Sequence, residues 1–237
     1  MARHQRHDYA GLSTNAISKR KMSGRISDTS FFWTASWNHR RIHTKNDSAM
    51  SYSVRPLSAS TWSAFAELVE RNNGIYGGCW CISYHPECGQ RELNYREVKE
   101  DRVKTGRAHA ALVFDDSGKA QGWCQYGSPD ELSNIKHKRE YDRDAPPLPK
   151  WRITCIFVDK KHRGQGVART ALEGALSQIA QAGGGLVEAI PEVTDGREAQ
   201  GRFLFSATIE LFDQYGFRRG RQVGKHAWIV SKVVDAA

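Results

Sequence analysis

Nothing in these 237 residues stays apolar for long. The longest such runs, Ile153 to Val158 and Ala227 to Val230, fall far short of the roughly 20 residues a helix needs to cross a bilayer, so the expectation is a soluble protein. No secretory h-region opens the chain, and its five cysteines are therefore expected as reduced thiols in a cytoplasm. Two phosphate-binding strings are missing as well. There is no GxxxxGK[ST], and a dinucleotide fingerprint GxGxxG beginning at Gly164 fails because position 169 is Arg.

Acidic residues are scarce in one place. Residues 1–49 hold nine Lys/Arg against three Asp/Glu, which is +6, and the other residues hold 26 against 23, which is +3 of the total +9. The patterned body is thus only mildly basic, and nucleic acid is disfavoured as its partner. The first 49 residues are rich in Ser, Thr, Asn and His and carry no sustained periodicity, so a disordered or weakly folded extension is expected there. An appended leader, a polyanion-binding tail and an organellar presequence all remain open for it. The aromatic cluster FFWTASW at residues 31–37 suits none of these well.

From Met50 onward the sequence is regular, and residues 50–237 are expected to form one domain. Tyr52, Val54 and Leu57 suggest a strand, and Ser60 is positioned to cap a helix whose Phe65, Leu68 and Val69 share a face. A charged helix over Arg91 to Thr105 stops at Gly106, and strands Ala110 to Phe114 and Ala120 to Tyr126 follow around the turn Asp115-Asp116-Ser117-Gly118. Residues 127–150, with Ser128-Pro129, a charged run and Pro146-Pro147, read as a long loop insert, either a lid or a solvated excursion. Then come a strand, Trp151 to Val158, and the clearest helix of the chain, whose Ala168, Ala171, Leu172, Ala175, Leu176 and Ile179 share a face up to Gly183-Gly184-Gly185. A strand Leu186 to Ile190, a short helix around Ser206 to Gln214, and strands Phe217 to Gln222 and His226 to Val233 complete a mixed α/β order, β-α-α-β-β-β-α-β-α-β-β.

Between the strand ending at Val158 and its helix lies Arg163-Gly164-Gln165-Gly166-Val167-Ala168. A strand that ends in a tight Gly-containing loop and opens a helix presents unpaired N–H groups at the positive end of the helix dipole. Phosphate suits such a place, the glycines allow close approach of the main chain, and Arg163, Lys160 and Lys161 add charge.

This string resembles the R/Q-x-x-G-x-G/A signature of the GNAT superfamily, the acyl-CoA-dependent N-acetyltransferases. Leu211-Phe212-Asp213-Gln214-Tyr215-Gly216-Phe217 is similar to the family's FYEKLGF-type ending. The resemblance covers about residues 51–234, leaving out the N-terminal extension and the 127–150 insert. It implies a central, mostly antiparallel sheet with a splayed βαβ core flanked by helices. Acetyl-CoA is implied as co-substrate. Main-chain groups of Ile156 and Val158 would pair with its pantetheine arm, and the N–H groups of Arg163, Gly164, Gln165, Gly166, Val167 and Ala168 would hold its pyrophosphate. The implied reaction is direct attack by an amine on the thioester, which requires a base, a carbonyl-polarising N–H and an acid for the departing thiolate.

The family's usual tyrosine acid corresponds to Phe212 here, and Arg152 and Thr154 stand where some members carry a glutamate. The catalytic candidates are therefore Glu188 as base, directly or through water, and Tyr215 or Tyr126 as acid. His226 and His162 are weaker candidates for accepting the ammonium proton. In Gly77-Gly78-Cys79-Trp80-Cys81-Ile82-Ser83-Tyr84-His85-Pro86-Glu87-Cys88, the residues Cys79, Cys81, His85 and Cys88 are possible zinc ligands, but no second knuckle accompanies them, and no metal is expected. The preferred reading makes Trp80 and Tyr84 walls of an acceptor pocket. The expected activity is acetylation of a small-molecule amine, with a protein or peptide amine, or a non-catalytic acyl-CoA-binding module, as alternatives. Either a monomer or a homodimer is compatible with the sequence.

Overall fold

The computed structural model describes residues 51–90, 92–144, 146–196 and 204–237. The expectations for residues 1–49, including FFWTASW, lie outside the described residues. In chain order the elements are β1 (Ser53–Pro56), α1 (Trp62–Glu70), α2 (Tyr95–Lys104), β2 (His109–Phe114), β3 (Ala120–Gly127), α3 (Lys138–Arg143), β4 (Trp151–Val158), α4 (Val167–Gln181), β5 (Gly185–Ala189), α5 (Ile209–Asp213), β6 (Arg218–Gln222) and β7 (Trp228–Val234). The strands form one seven-stranded sheet in the order β1-β2-β3-β4-β5-β7-β6. Every pairing is antiparallel except that of β4 with β5, which is joined through α4 as a βαβ unit.

Helices cover both sheet faces, and period-two alternation sorts the strand residues between them. Leu112 and Phe114 of β2 pack with Phe65, Leu68 and Val69 of α1 and with Trp123, whose ring stacks on Phe157 at 4.6 Å. Ala111 and Val113 face the other way, toward Val167, Ala171, Leu172, Ala175 and Ile179 of α4. Burial on both faces explains why all eight residues of β3 are inaccessible to solvent. Gly174 lets α4 sit close to the sheet: a Cβ added there would lie 2.4 Å from a Val54 methyl carbon.

The element order matches the sequence expectation, with three local differences. Helix α2 begins at Tyr95 rather than Arg91, because the Asn94 side chain accepts the Arg96 N–H at 3.1 Å while its amide donates to Glu97 at 2.9 Å, a capping arrangement. Ser60 does not cap α1. Thr61 occupies that position, and its hydroxyl instead donates to the Pro56 carbonyl at 2.7 Å. The 127–150 insert is not a plain loop: it contains α3, buries Leu132 and Tyr141, and is tied to β6 by Arg221, which donates to the carbonyls of Glu140, Tyr141 and Asp144. Among the described residues no helix is long and apolar enough to cross a membrane.

Candidate active site

Strand β4 ends at Val158, and Asp159 turns the chain. Its buried carboxylate accepts the Lys161 N–H at 3.0 Å, the Arg71 Nε at 3.0 Å and the Asn72 amide at 3.2 Å. Burial alone would raise its pKa, but these donors outweigh burial and hold it below the ordinary value. The turn Lys160–His162 then leads to Gly164 and Gly166, both in the left-handed region at φ 76° and 88°. A Cβ at either glycine would meet no atom within 4 Å, and no side chain caps the start of α4. The result is an open cradle of main chain in front of a 15-residue helix. It belongs to a cleft of about 440 Å³ lined by, among others, Ile156, Val158, Arg163, Gly164, Gly166 and Ala168. Val167 lines it too, whereas the Gln165 side chain is turned back to the Lys161 carbonyl at 3.0 Å and accepts from the Tyr52 hydroxyl at 3.0 Å.

The cleft exists because β4 and β5 stay paired only from Trp151–Val187 to Ile153–Ala189 and then separate. Ile156 is a correction to the expectation. Its N–H, expected to face the cofactor, donates to the Phe205 carbonyl at 2.7 Å, because the chain returning at residues 204–208 runs into the gap and pairs there. Alternation along the strand leaves the Val158 N–H pointing to the same side. On the opposite edge the β3 register skips between Gln125 and Tyr126, so that Thr154 is an extra residue of β4. Such a bulge twists the strand locally and re-aims its neighbours.

A second cavity of about 420 Å³ lies beside the first. Tyr84, Lys136, Cys155 and Phe205 line it, and Tyr76 borders both cavities. Behind Tyr84, Ile135 and Lys136 it adjoins a void of about 10 Å³, room for about one water, lined by Arg152, Thr154, Glu188 and Ser206. Glu188 is buried. It accepts the Tyr141 hydroxyl at 3.1 Å, and Arg152 Nε stands 3.9 Å from its other oxygen. Burial raises its pKa against the opposing pull of Tyr141 and Arg152. Arg152 Nε, Glu188 Oε1 and Ser206 Oγ find no hydrogen-bond partner among the described residues, and all three residues line the same void.

The other expected residues are dispersed. Tyr84 does wall the second cavity, but Trp80 does not: it lies 6.1 Å from the Trp62 ring and lines, with Tyr95 and Arg96, a surface hollow that shares Tyr76 and Cys79 with that cavity. Tyr126 sits under α4 and donates to Gln178 at 2.9 Å, and Tyr215 donates to Glu173 at 2.7 Å. Neither lines either cavity. Phe212, at the family's tyrosine position, is fully buried against Phe217. His162 lines the first cavity and engages the Tyr52 hydroxyl at 3.2 Å, whereas the His226 carbonyl pairs with Val193. Among the described residues no group of three or more His, Cys, Asp or Glu is arranged to hold a metal ion. His85 is instead engaged by the Glu131 carbonyl at 3.0 Å and Lys99 Nζ at 3.1 Å. Sequence reasoning missed Tyr76, Lys136, Cys155 and Phe205. Their one signal in the sequence was the glycine-rich turn Gly74 to Gly78, which encloses Tyr76.

A family model for the acetyltransferase (GNAT) family matches residues 65–205. No curated protein sequence matches significantly. Among solved structures, similarity extends to a histone acetyltransferase HPA2 and related acetyltransferase from Corynebacterium glutamicum, 16% identical over 79% of this chain and 98% of that one, with a TM-score of 0.47. A phosphinothricin acetyltransferase from Sinorhizobium meliloti, in complex with AcCoA, is 11% identical over 78% and 90%, with a TM-score of 0.46. A PaiA N-acetyltransferase from Thermoplasma acidophilum, in complex with coenzyme A, is 14% identical over 78% and 99%, with a TM-score of 0.45.

Proposed function

Because this chain belongs to the GNAT acetyltransferase family, we propose that it transfers the acetyl group of acetyl-CoA to the amine of a small-molecule acceptor by direct attack. The observation that carries this reading is the pair of adjoining cavities on either side of the Cys155–Ile156 segment of β4. One has the open main-chain cradle that a pyrophosphate requires, with Arg163 and Arg169 in its wall; the other is a compact chamber suited to a small acceptor.

Glu188 is the base in this proposal, receiving the ammonium proton across the small void; burial raises its pKa, which makes it a stronger base than an ordinary carboxylate. Arg152 and Tyr141 hold its carboxylate in place. Tyr76 borders both cavities, and burial pushes its phenol up to about 12, which keeps it protonated and able to serve as proton source for the departing thiolate. Tyr76 thus takes the part first sought at Tyr215 or Tyr126.

The test is thermal stabilisation by acetyl-CoA together with thiol release in a broad amine screen. Wild type should gain about 2.7 kcal/mol of stability at a hundred times the dissociation constant. Gly164→Glu and Gly166→Glu should remove that gain by placing bulk and negative charge in the cradle. An unchanged melting temperature of the wild type at millimolar acetyl-CoA would overturn the proposal.

A further inference from the structure

We infer that the acceptor is a primary amine on an aromatic or comparably apolar body with no second cationic group, an arylalkylamine in chemical class, and that Lys136 enforces this selection. The inference rests on the reading of the second cavity as the acceptor site. Its walls carry the chemistry. Phe205 forms an aromatic corner with Tyr76 at 6.0 Å and Tyr84 at 6.3 Å, both edge-on, and the thiols of Cys79, Cys81 and Cys155 line the same space. Rings edge-on to one another and polarisable sulfur atoms favour an aromatic guest.

Charge decides the rest. Among the described residues no carboxylate lines this cavity, and its charged lining residue is Lys136, whose Nζ lies 5.0 Å from the Phe205 ring centroid and pairs with Glu192. Glu192 is taken up by Lys136, which leaves Glu188, in the adjoining void, to serve the ammonium of a substrate. One ammonium is therefore provided for at the point of reaction. A polyamine, an aminoglycoside or a lysine-containing peptide with further basic groups brings additional cations, and each would be desolvated beside Lys136, with Glu192 engaged by that lysine and no other carboxylate among the described residues placed to receive it.

The cavity also holds its own reporter. Cys79 lines it and is half-buried, whereas Cys88 is exposed and lines none of the cavities described. Burial holds the Cys79 thiol up at about 11, which makes its alkylation slow enough to follow.

The experiment treats the full chain with N-ethylmaleimide and quantifies Cys79 and Cys88 by peptide mass spectrometry, with tryptamine, 2-phenylethylamine or spermidine present. In parallel, acetyl transfer to the same amines is measured. Tryptamine and 2-phenylethylamine should slow labelling of Cys79 but not of Cys88, spermidine should slow neither, and kcat/KM should favour the aromatic amines by roughly tenfold or more. Lys136→Gln, which releases Glu192 from its partner, should narrow that preference by raising kcat/KM for spermidine. Equal turnover of spermidine, or protection of Cys79 by it, overturns the inference. So does acetylation of aromatic amines without protection of Cys79. Protection of Cys79 by tryptamine with no acetyl transfer to any amine would instead overturn the acetyltransfer reading and leave the class of ligand standing.

Discussion

At Glu188, burial and hydrogen bonding pull in opposite directions. Burial raises its pKa, while Tyr141 and the neighbouring Arg152 favour the carboxylate. A base acts when deprotonated, so the acid limb of kcat/KM should lie above the ordinary glutamate value of about 4.3. Glu188→Gln should abolish that limb and lower kcat by roughly a hundredfold or more, while stabilisation by acetyl-CoA persists. A variant with unaltered kcat and pH profile would remove Glu188 from the mechanism. His85 offers a separate titration. The Glu131 carbonyl and the Lys99 ammonium fix it as the neutral Nδ1–H tautomer, and burial, then Lys99, depress its pKa to about 2. The unfolded chain takes up this proton below about 6.5 and the folded one does not, so stability present above that pH is lost as pH falls, at about 1.4 kcal/mol per unit. Denaturant midpoints between pH 6.5 and 4.5 should therefore fall less steeply in His85→Gln than in wild type. Glu188 could be named from the sequence, since it stands in the strand after the glycine loop. The burial of Lys99 could not, because a charged helix of alternating Lys, Arg and Glu reads as solvent-facing until Gln125 and His85 are seen to enclose its ammonium.

Elements with a strong local signal were the legible ones. Helix α4 announced itself by its apolar spacing and its terminal glycines, and the loop before it by the pair Gly164 and Gly166. Helix α3 gave no such signal: its six residues, Lys-Arg-Glu-Tyr-Asp-Arg, carry one apolar side chain, and the helix depends on Tyr141 reaching Glu188 and on Arg221 donating to its carbonyls. These are tertiary contacts, invisible to periodicity. The return of residues 204–208 into the β4–β5 gap is equally nonlocal, which is why Ile156 looked free for a cofactor. Close packing between elements was hidden for another reason, that glycine inside a helix reads merely as a weak helix former. At Gly174 the missing Cβ is what admits Val54, with Ala111 Cβ a further 3.2 Å neighbour. Gly174→Ala improves helix propensity by about 1 kcal/mol, but overpacking costs about 1–3 kcal/mol, so a net loss of stability is expected in chemical denaturation. A net gain would show that α4 shifts freely over β1 and β2.

At the scale of the whole molecule, the positive charge is unevenly spread along the chain. Every described strand of the sheet lies within residues 53–234. The first 49 residues contribute +6 of the net charge and the remainder +3. The two core layers described above are built from residues after Ser51, and both cavities are lined by the same part of the chain. Removing residues 1–49 should therefore leave the melting temperature within about 2 °C, a shift equivalent to less than about 1 kcal/mol for a domain of this size, and should leave stabilisation by acetyl-CoA unchanged. Affinity for polyanions should behave differently, because nonspecific binding follows the number of phosphates neutralised and declines steeply with salt. The full chain should elute from a heparin or DNA column at higher salt than the shortened one. Insoluble or markedly less stable protein after the truncation would instead place FFWTASW within the packed body, and equal elution would assign the polyanion affinity to the acetyltransferase domain.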